Sequence, residues 1–174
     1  RERIEAATGR SFAELVAEEI CAPLGLTGVR VARDLSDMQA IAWPEGRDYH
    51  PGWVYHGLIL GPARAGAELL HGLAMGRLLS PDSLRQMQQR YPIGGPIPGR
   101  PWRETGYGLG LMMGPLEGAG MVWGHSGSGP FSVNAIYHFP GLADALTVAC
   151  FTDGQDEALA EWEAVRIAME AASG

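Results

Sequence analysis

The chain contains no lysine. All 13 of its basic residues are arginine, set against 20 acidic ones. That absence excludes any chemistry resting on an ε-amino group, whether as proton acceptor or as Schiff-base nucleophile. The net charge of −7, without any basic cluster, argues against nucleic acid or an anionic membrane surface as partner. Cysteine is scarce: Cys21 and Cys150 are the only two. Cys21 closes a helical pattern and Cys150 lies in a buried-strand pattern, so both are expected as buried free thiols and not as a disulfide framework. No zinc-type spacing occurs, and neither metal nor cofactor is expected. No apolar run approaches the length of a membrane span. The first residues already read as helix, so no signal peptide is expected within this stretch. We read the chain, which opens on Arg1, as cut from a longer one; its compartment stays unassigned.

What is present is enough for a core, since 46% of the 174 residues are hydrophobic. Arg1 to Ala7 reads as the end of a helix closed by Gly9. Ser11 and Glu14 form a capping box that opens a second helix, with Phe12, Leu15, Val16 and Ile20 on one face. Pro23 and Gly25 end it. Residues 27 to 55 read as a long ordered loop packed on its aromatics. Pro62 opens a helix with Leu69, Leu70, Leu73 and Met75 on its apolar side. Ser80-Pro81 opens another, with Ser80 as cap and Pro81 in the first turn. Residues 92 to 101, rich in Pro and Gly, read as a loop or flap.

The pattern then changes to strands. Tyr107 to Met113 and Met121 to Gly124 read as extended. Phe131, Val133, Ala135, Tyr137 and Phe139 alternate with Ser132, Asn134 and His138. Ala145 to Phe151 reads as a buried strand, and the final helix carries a stripe of Leu159, Trp162, Val165 and Met169. The order is α+β. It divides into residues 1–105, a partial helical region with long loops, and 106–174, an antiparallel meander with a C-terminal helix. Three or four strands leave a long unpaired edge. We therefore expect association with a missing N-terminal segment or with a second copy of the chain.

The chemistry-bearing stretch is Gly124-His125-Ser126-Gly127-Ser128-Gly129-Pro130. Acyl transfer generates a tetrahedral oxyanion, and backbone N–H groups aimed at it are worth roughly 3 to 4 kcal/mol each. A strand edge bared by Gly127 allows that approach. The Ser126 hydroxyl can hold a polar group of a substrate, and His125 can supply a proton or a positive field near neutral pH. Taken alone, the same string also reads as a glycine-rich turn joining two strands. It is not the G-x-S-x-G elbow. The last position fails, Pro130 and a strand follow where a helix is needed, and the order Ser, Asp, His is not met. His50, His56 and His71 carry no metal spacing and read as ordinary polar residues.

Several segments together support a resemblance. Ile4 to Phe12 running into Ala22-Pro23-Leu24-Gly25-Leu26, Leu78-Leu79-Ser80-Pro81 through Met87, and Tyr107-Gly108-Leu109-Gly110 followed by Gly124-His125-Ser126-Gly127 are similar to the C-terminal half of the serine β-lactamase and penicillin-binding-protein superfamily. The likeness is to its branch of class C β-lactamases, D-amino-acid-specific peptidases and esterases. The resemblance implies a β-lactamase/transpeptidase-like fold, here incomplete, and a serine acyl-enzyme mechanism on a small acyl substrate: a β-lactam, an ester or a D-amino-acid peptide. It implies that His125, Ser126 and Gly127 occupy the third motif of that family, and that the Ser128 N–H is half of the oxyanion hole. The first motif, S-x-x-K, is impossible without lysine. The second, Tyr-x-Asn, is expected upstream of Arg1. Histidine in place of lysine at 125 is a weaker, pH-dependent cation, which favours an ester or peptide-like acyl group over a carboxylate-bearing one. The chain alone is expected to be inactive. The alternative is a non-catalytic module that uses 124–130 for binding or assembly.

Overall fold

The computed structural model describes residues Arg1–Gly174. Its helices start and stop where the local chemistry dictates. Helix α1 (Glu2–Thr8) ends at Gly9, whose φ of 66° suits a residue without a Cβ. The second helical stretch begins as α2 (Phe12–Leu15). The Ser11 side chain accepts from the Glu14 N–H at 3.3 Å, and the Ser11 N–H donates to the Glu14 carboxylate at 2.8 Å. It then widens into a π-helical segment over Val16–Cys21 before closing as α3 (Ala22–Leu24). That widening was not anticipated. It turns Val16 and Cys21 inward and leaves Ile20 half-buried.

The long region that follows is irregular, as expected, apart from a short ribbon. Strand β1 (Arg30–Ala32) pairs antiparallel with β2 (Leu58–Leu60). Between them lie three single 3₁₀ turns. Helix α4 (Ala63–Ala74) buries Leu70 and Leu73, while Met75, expected on the same side, is exposed beyond the helix end. Helix α5 (Pro81–Met87) is capped by Ser80, whose side chain accepts from the Ser83 N–H.

The sheet is larger than the sequence pattern suggested. It has six strands in simple meander order: β3 (Tyr91–Gly94), β4 (Thr105–Tyr107), β5 (Met112–Leu116), β6 (Gly120–Ser128), β7 (Ser132–Phe139) and β8 (Leu146–Asp153). The sheet thus begins at Tyr91 and runs into the 92–101 stretch read as a flap, ahead of the 105/106 division. The span 107–113 is not one strand but a hairpin, with Tyr107 on β4 facing Met112 on β5. The edge strand β3 is exposed throughout, which explains why it carries no burial signature.

Helix α6 (Glu157–Ser173) covers one sheet face and α4 covers the other. The main core lies under α6, where Val133, Ala135, Tyr137 and Phe139 meet Ala160, Ala164, Val165 and Ala168. The β7 alternation is therefore as expected. The α6 stripe is as expected only in part. Val165 is buried and Met169 packs against the core, but Leu159 and Trp162 are exposed, and the rest of the buried side is built of alanines and Glu161. Small residues let the helix axis approach the sheet, so close packing outweighs the side-chain size on which a hydrophobic stripe is read. Cys21 is buried and Cys150 half-buried, both unpaired. Burial pushes both thiols up.

Candidate active site

The stretch 124–128 is the second half of β6, not a turn. Glycine hides this from a propensity reading, yet glycine is what permits it. A Cβ on Gly124 would stand 2.0 Å from the Ile136 carbonyl oxygen of the neighbouring strand. Strand β6 pairs with β7 from Trp123↔His138 to Ser128↔Val133. Its pairing with β5 stops at Met112↔Gly124. Residues 125–128 therefore lie on a stretch of β6 that has a neighbour on one side only.

The ladder tells which backbone groups face which way. Beyond the last pair, the Gly129 N–H donates to the Ser132 carbonyl at 2.8 Å. Antiparallel pairs alternate between bonded and non-bonded types. Counting back along the register, Gly127/Asn134 and His125/Ile136 are bonded pairs, whereas Ser128/Val133 and Ser126/Ala135 are not. The N–H groups of Ser126 and Ser128 thus point away from β7, toward the unpartnered side.

The side chains sort by face. His125 is opposite Ile136, which packs toward Gly66 of α4. Its Nε2 lies 2.7 Å from the Tyr107 hydroxyl, and the two rings meet edge to face. Its Nδ1 touches the carbonyl oxygen of Ser126. A carbonyl only accepts, so Nδ1 carries hydrogen and, in the neutral ring, Nε2 accepts from the Tyr107 O–H. His125 and Tyr107 together form a hydrogen-bonded pair on the α4 side of the sheet.

Ser126 faces the other way. It is 4% exposed, and its Oγ accepts a hydrogen bond from Arg100 Nη2 at 3.0 Å. Arg100 is in turn locked to the fully buried Glu161 of α6, with Nε donating to Oε2 at 2.7 Å and Nη2 to Oε1 at 2.5 Å. Trp102 Nε1 and the Tyr137 hydroxyl also donate to Glu161, at 3.0 and 2.9 Å. Burial pushes the Glu161 carboxyl up, but the hydrogen bonds from Arg100, Trp102 and Tyr137 outweigh it and hold the group below the usual carboxylate range. Burial raises the Tyr137 phenol, with the Glu161 charge adding to it.

Gly127 has no side chain to fill the α4 side of the strand. A Cβ there would come within 3.3 Å of the Asn134 amide. Gly127, Ser128 and Asn134 border a cavity of about 920 Å³ that is also lined by Trp43, Tyr49 and Trp53. Tyr49 stacks edge-on against both Trp53 and Phe131, so these three lining rings form one aromatic cluster. The Ser128 hydroxyl points instead toward α6 and donates to the Gln155 carbonyl at 3.2 Å.

The four residues named from sequence are therefore adjacent but not convergent. His125 and Gly127 share the α4 face, while the Ser126 and Ser128 side chains lie toward α6. Tyr107, Arg100 and Glu161 were missed. Tyr107 was visible as part of a strand-like run and of the segment carrying the resemblance, but not as a partner of His125, 18 residues away. Arg100 and Glu161 are 61 residues apart, and no local spacing links them. No group of three His, Cys, Asp or Glu is placed to hold a metal ion.

An α+β frame with helices on both faces of an antiparallel meander, and a glycine-bared strand margin beside a cleft, is the architecture of the serine β-lactamase and penicillin-binding-protein class. The beta-lactamase family model matches residues 1–168, and the chain belongs to that family. Among solved structures it is similar to a D-stereospecific amidohydrolase from Streptomyces sp., at 25% identity with a TM-score of 0.68 over 95% of this chain and 50% of that one. It is also similar in fold to the D-amino acid amidase of Ochrobactrum anthropi SV3, at 19% identity with a TM-score of 0.66 over 98% of this chain and 54% of that one. The same amidase complexed with L-phenylalanine aligns with a TM-score of 0.63 at 20% identity, over 85% of this chain and 45% of that one. The chain thus spans about half the length of the structures it resembles. No curated protein sequence matches it. Its family and its structural neighbours are hydrolases, and no helix is long and apolar enough to cross a membrane.

Proposed function

We propose that this chain is the oxyanion-side portion of a β-lactamase-like serine acyl-hydrolase. The observation that carries the reading is the outward N–H of Ser128, on an unpaired strand margin at the rim of an aromatic cavity. Such a donor is pre-aimed and costs no reorganisation when charge develops on a carbonyl oxygen. The nucleophilic serine, with its own N–H as second donor, belongs to an S-x-x-K motif outside these residues. His125, held by Tyr107, moves a proton to or from the reacting centre or places a positive field there. Gly127 leaves room for the acyl chain to lie along the strand. Ser126 acts from behind the strand, since Arg100 occupies its hydroxyl. The substrate is a small ester or amide with an apolar or aromatic group for the cavity. Two solved neighbours, one named a D-stereospecific amidohydrolase and the other a D-amino acid amidase, support an amino-acid amide among the candidates.

The test uses the parent reading frame. An upstream S-x-x-K followed by Tyr-x-Asn is expected, and a protein carrying all three motifs should hydrolyse p-nitrophenyl esters. In that protein Ser128→Pro, which replaces the amide hydrogen with a ring carbon at a position facing away from the ladder, should lower kcat by at least about 10²–10³. Ser128→Ala should leave kcat near wild type. Equal kcat for the proline and alanine variants would refute the role of this N–H. The 174-residue chain alone should turn over neither nitrocefin nor the ester, and turnover by it would refute the assignment of the nucleophile to another segment. A second reading, a binding or assembly module on the same scaffold, is favoured by the absence of lysine. A parent frame without S-x-x-K would support it.

A further inference from the structure

The Arg100–Glu161 pair is used by no step of the proposed reaction, yet it reaches the centre of the third motif. Residues 125–128 have lost β5 as a neighbour, so β7 alone holds them from the side. A margin with one neighbour opens more readily than an interior strand. On the α6 face, however, the strand is held from behind. Three contacts fix the Arg100 guanidinium to α6: Nε and Nη2 on Glu161, and Nη1 paired with Glu157. Nη2 also donates to Ser126 Oγ. Glu161 cannot move to follow, because Trp102 and Tyr137 also hold its carboxylate. The guanidinium's planar fork makes this a rigid strut, which a lysine ammonium on a flexible stem would not reproduce.

We propose that Arg100, braced by Glu161, is a positioning residue: it clamps Ser126 and thereby holds the His125–Ser128 margin of β6 at the geometry in which the His125 ring and the Ser128 N–H face the cleft. Its functional meaning rests on the reading of that margin as the oxyanion-binding edge. The clamp itself does not, and it is measured separately, without turnover.

The experiment is residue-resolved amide hydrogen exchange on the 174-residue chain. The amides of His125 and Gly127 donate to β7 and so report opening of the margin. Ser126→Ala, which removes the acceptor and leaves Arg100–Glu161 intact, should speed exchange at His125 and Gly127 by roughly tenfold, while β8 amides and Val122 on β6 keep wild-type rates. Arg100→Gln should do the same at these two positions. Ser126→Thr, which restores the hydroxyl, should return both amides to within about twofold of wild type, and Arg100→Lys should not. A role in packing alone would not respond to the hydroxyl. Unchanged exchange at His125 and Gly127 in Ser126→Ala would overturn the clamp, and so would acceleration spread evenly over the whole sheet. Failure of the oxyanion reading would instead appear as equal kcat for Ser128→Pro and Ser128→Ala with the clamp intact.

Discussion

Replacing Glu161 should be among the most damaging single changes in the molecule, and the order of its variants follows from the contacts. Glu161 is fully buried and accepts from Arg100, Trp102 and Tyr137. Glu161→Gln keeps an oxygen for the neutral donors but strands the Arg100 charge. Breaking a buried ion pair costs about 3–5 kcal/mol. The lower end applies, because Glu157 still pairs with Arg100 and the arginine side chain is 17% exposed. With a urea m-value near 2 kcal/mol/M, a loss of about 3 kcal/mol lowers the unfolding midpoint by roughly 1.5 M. Glu161→Ala also leaves Trp102 Nε1 and the Tyr137 hydroxyl without an acceptor, each adding about 1–3 kcal/mol. Against a typical stability of about 5–15 kcal/mol, that variant approaches the limit of folding. Glu163→Gln on the exposed surface, where the carboxylate pairs with Arg166, is the control and should leave the midpoint where it was. The assay is equilibrium urea unfolding followed by tryptophan fluorescence. Midpoints for Glu161→Gln and Glu161→Ala within about 0.5 M of wild type would refute the reasoning.

Three further outcomes are expected. Gly124→Ala should cost about 3 kcal/mol, since its Cβ would meet a backbone carbonyl at 2.0 Å, and should lower Tm by roughly 6–12 °C; Gly110→Ala, strained at φ 71° but in open space, should cost only about 1–2 kcal/mol by the same calorimetry. His138 is held below its ordinary pKa of 6.5, first by burial and then by the charge of nearby His71. The unfolded chain therefore binds the extra proton first, so stability is complete above 6.5 and is lost as pH falls from there through the folded-state value; His138→Gln should flatten the urea midpoint over that window, and an unchanged slope would contradict the assignment. The outer edge of β8 carries no partner strand in the six-stranded order, so sedimentation velocity should show association between copies or with an added N-terminal segment, and a compact stable monomer would count against it.

How much of this was legible in the chain varied with the range of the interaction. Caps are local, so Ser11/Glu14 and Ser80/Pro81 were read correctly from spacing. The β7 alternation was equally plain, because Val133, Ala135, Tyr137 and Phe139 meet one continuous core. The stretch 124–128 was singled out, but its strand character was masked by Gly124 and Gly127, which weaken any propensity reading while enabling the close contacts the strand makes. The α6 stripe held at Val165 and Met169 but failed at Leu159 and Trp162, because burial there rewards small size: Ala160, Ala164 and Ala168 are inside while Trp162 is exposed, tied to the Gly99 carbonyl at 2.7 Å. A buried glutamate is invisible without its partners, and those of Glu161 come from a loop and a strand far away in sequence. The division of labour between the faces of β6, with His125 toward α4 and Ser126 toward Arg100, follows from register. Register is a property of two strands together.

The most direct test of the central claim is amide exchange along residues 123–128 of the unmodified chain. The account predicts alternation: His125 and Gly127 slow, bonded to β7, and Ser126 and Ser128 fast, with hydrogens turned to the unpartnered side. If Ser128 exchanged as slowly as Gly127, or if the alternation were inverted, the N–H assigned to the oxyanion would be committed elsewhere and the proposed function would lose its donor.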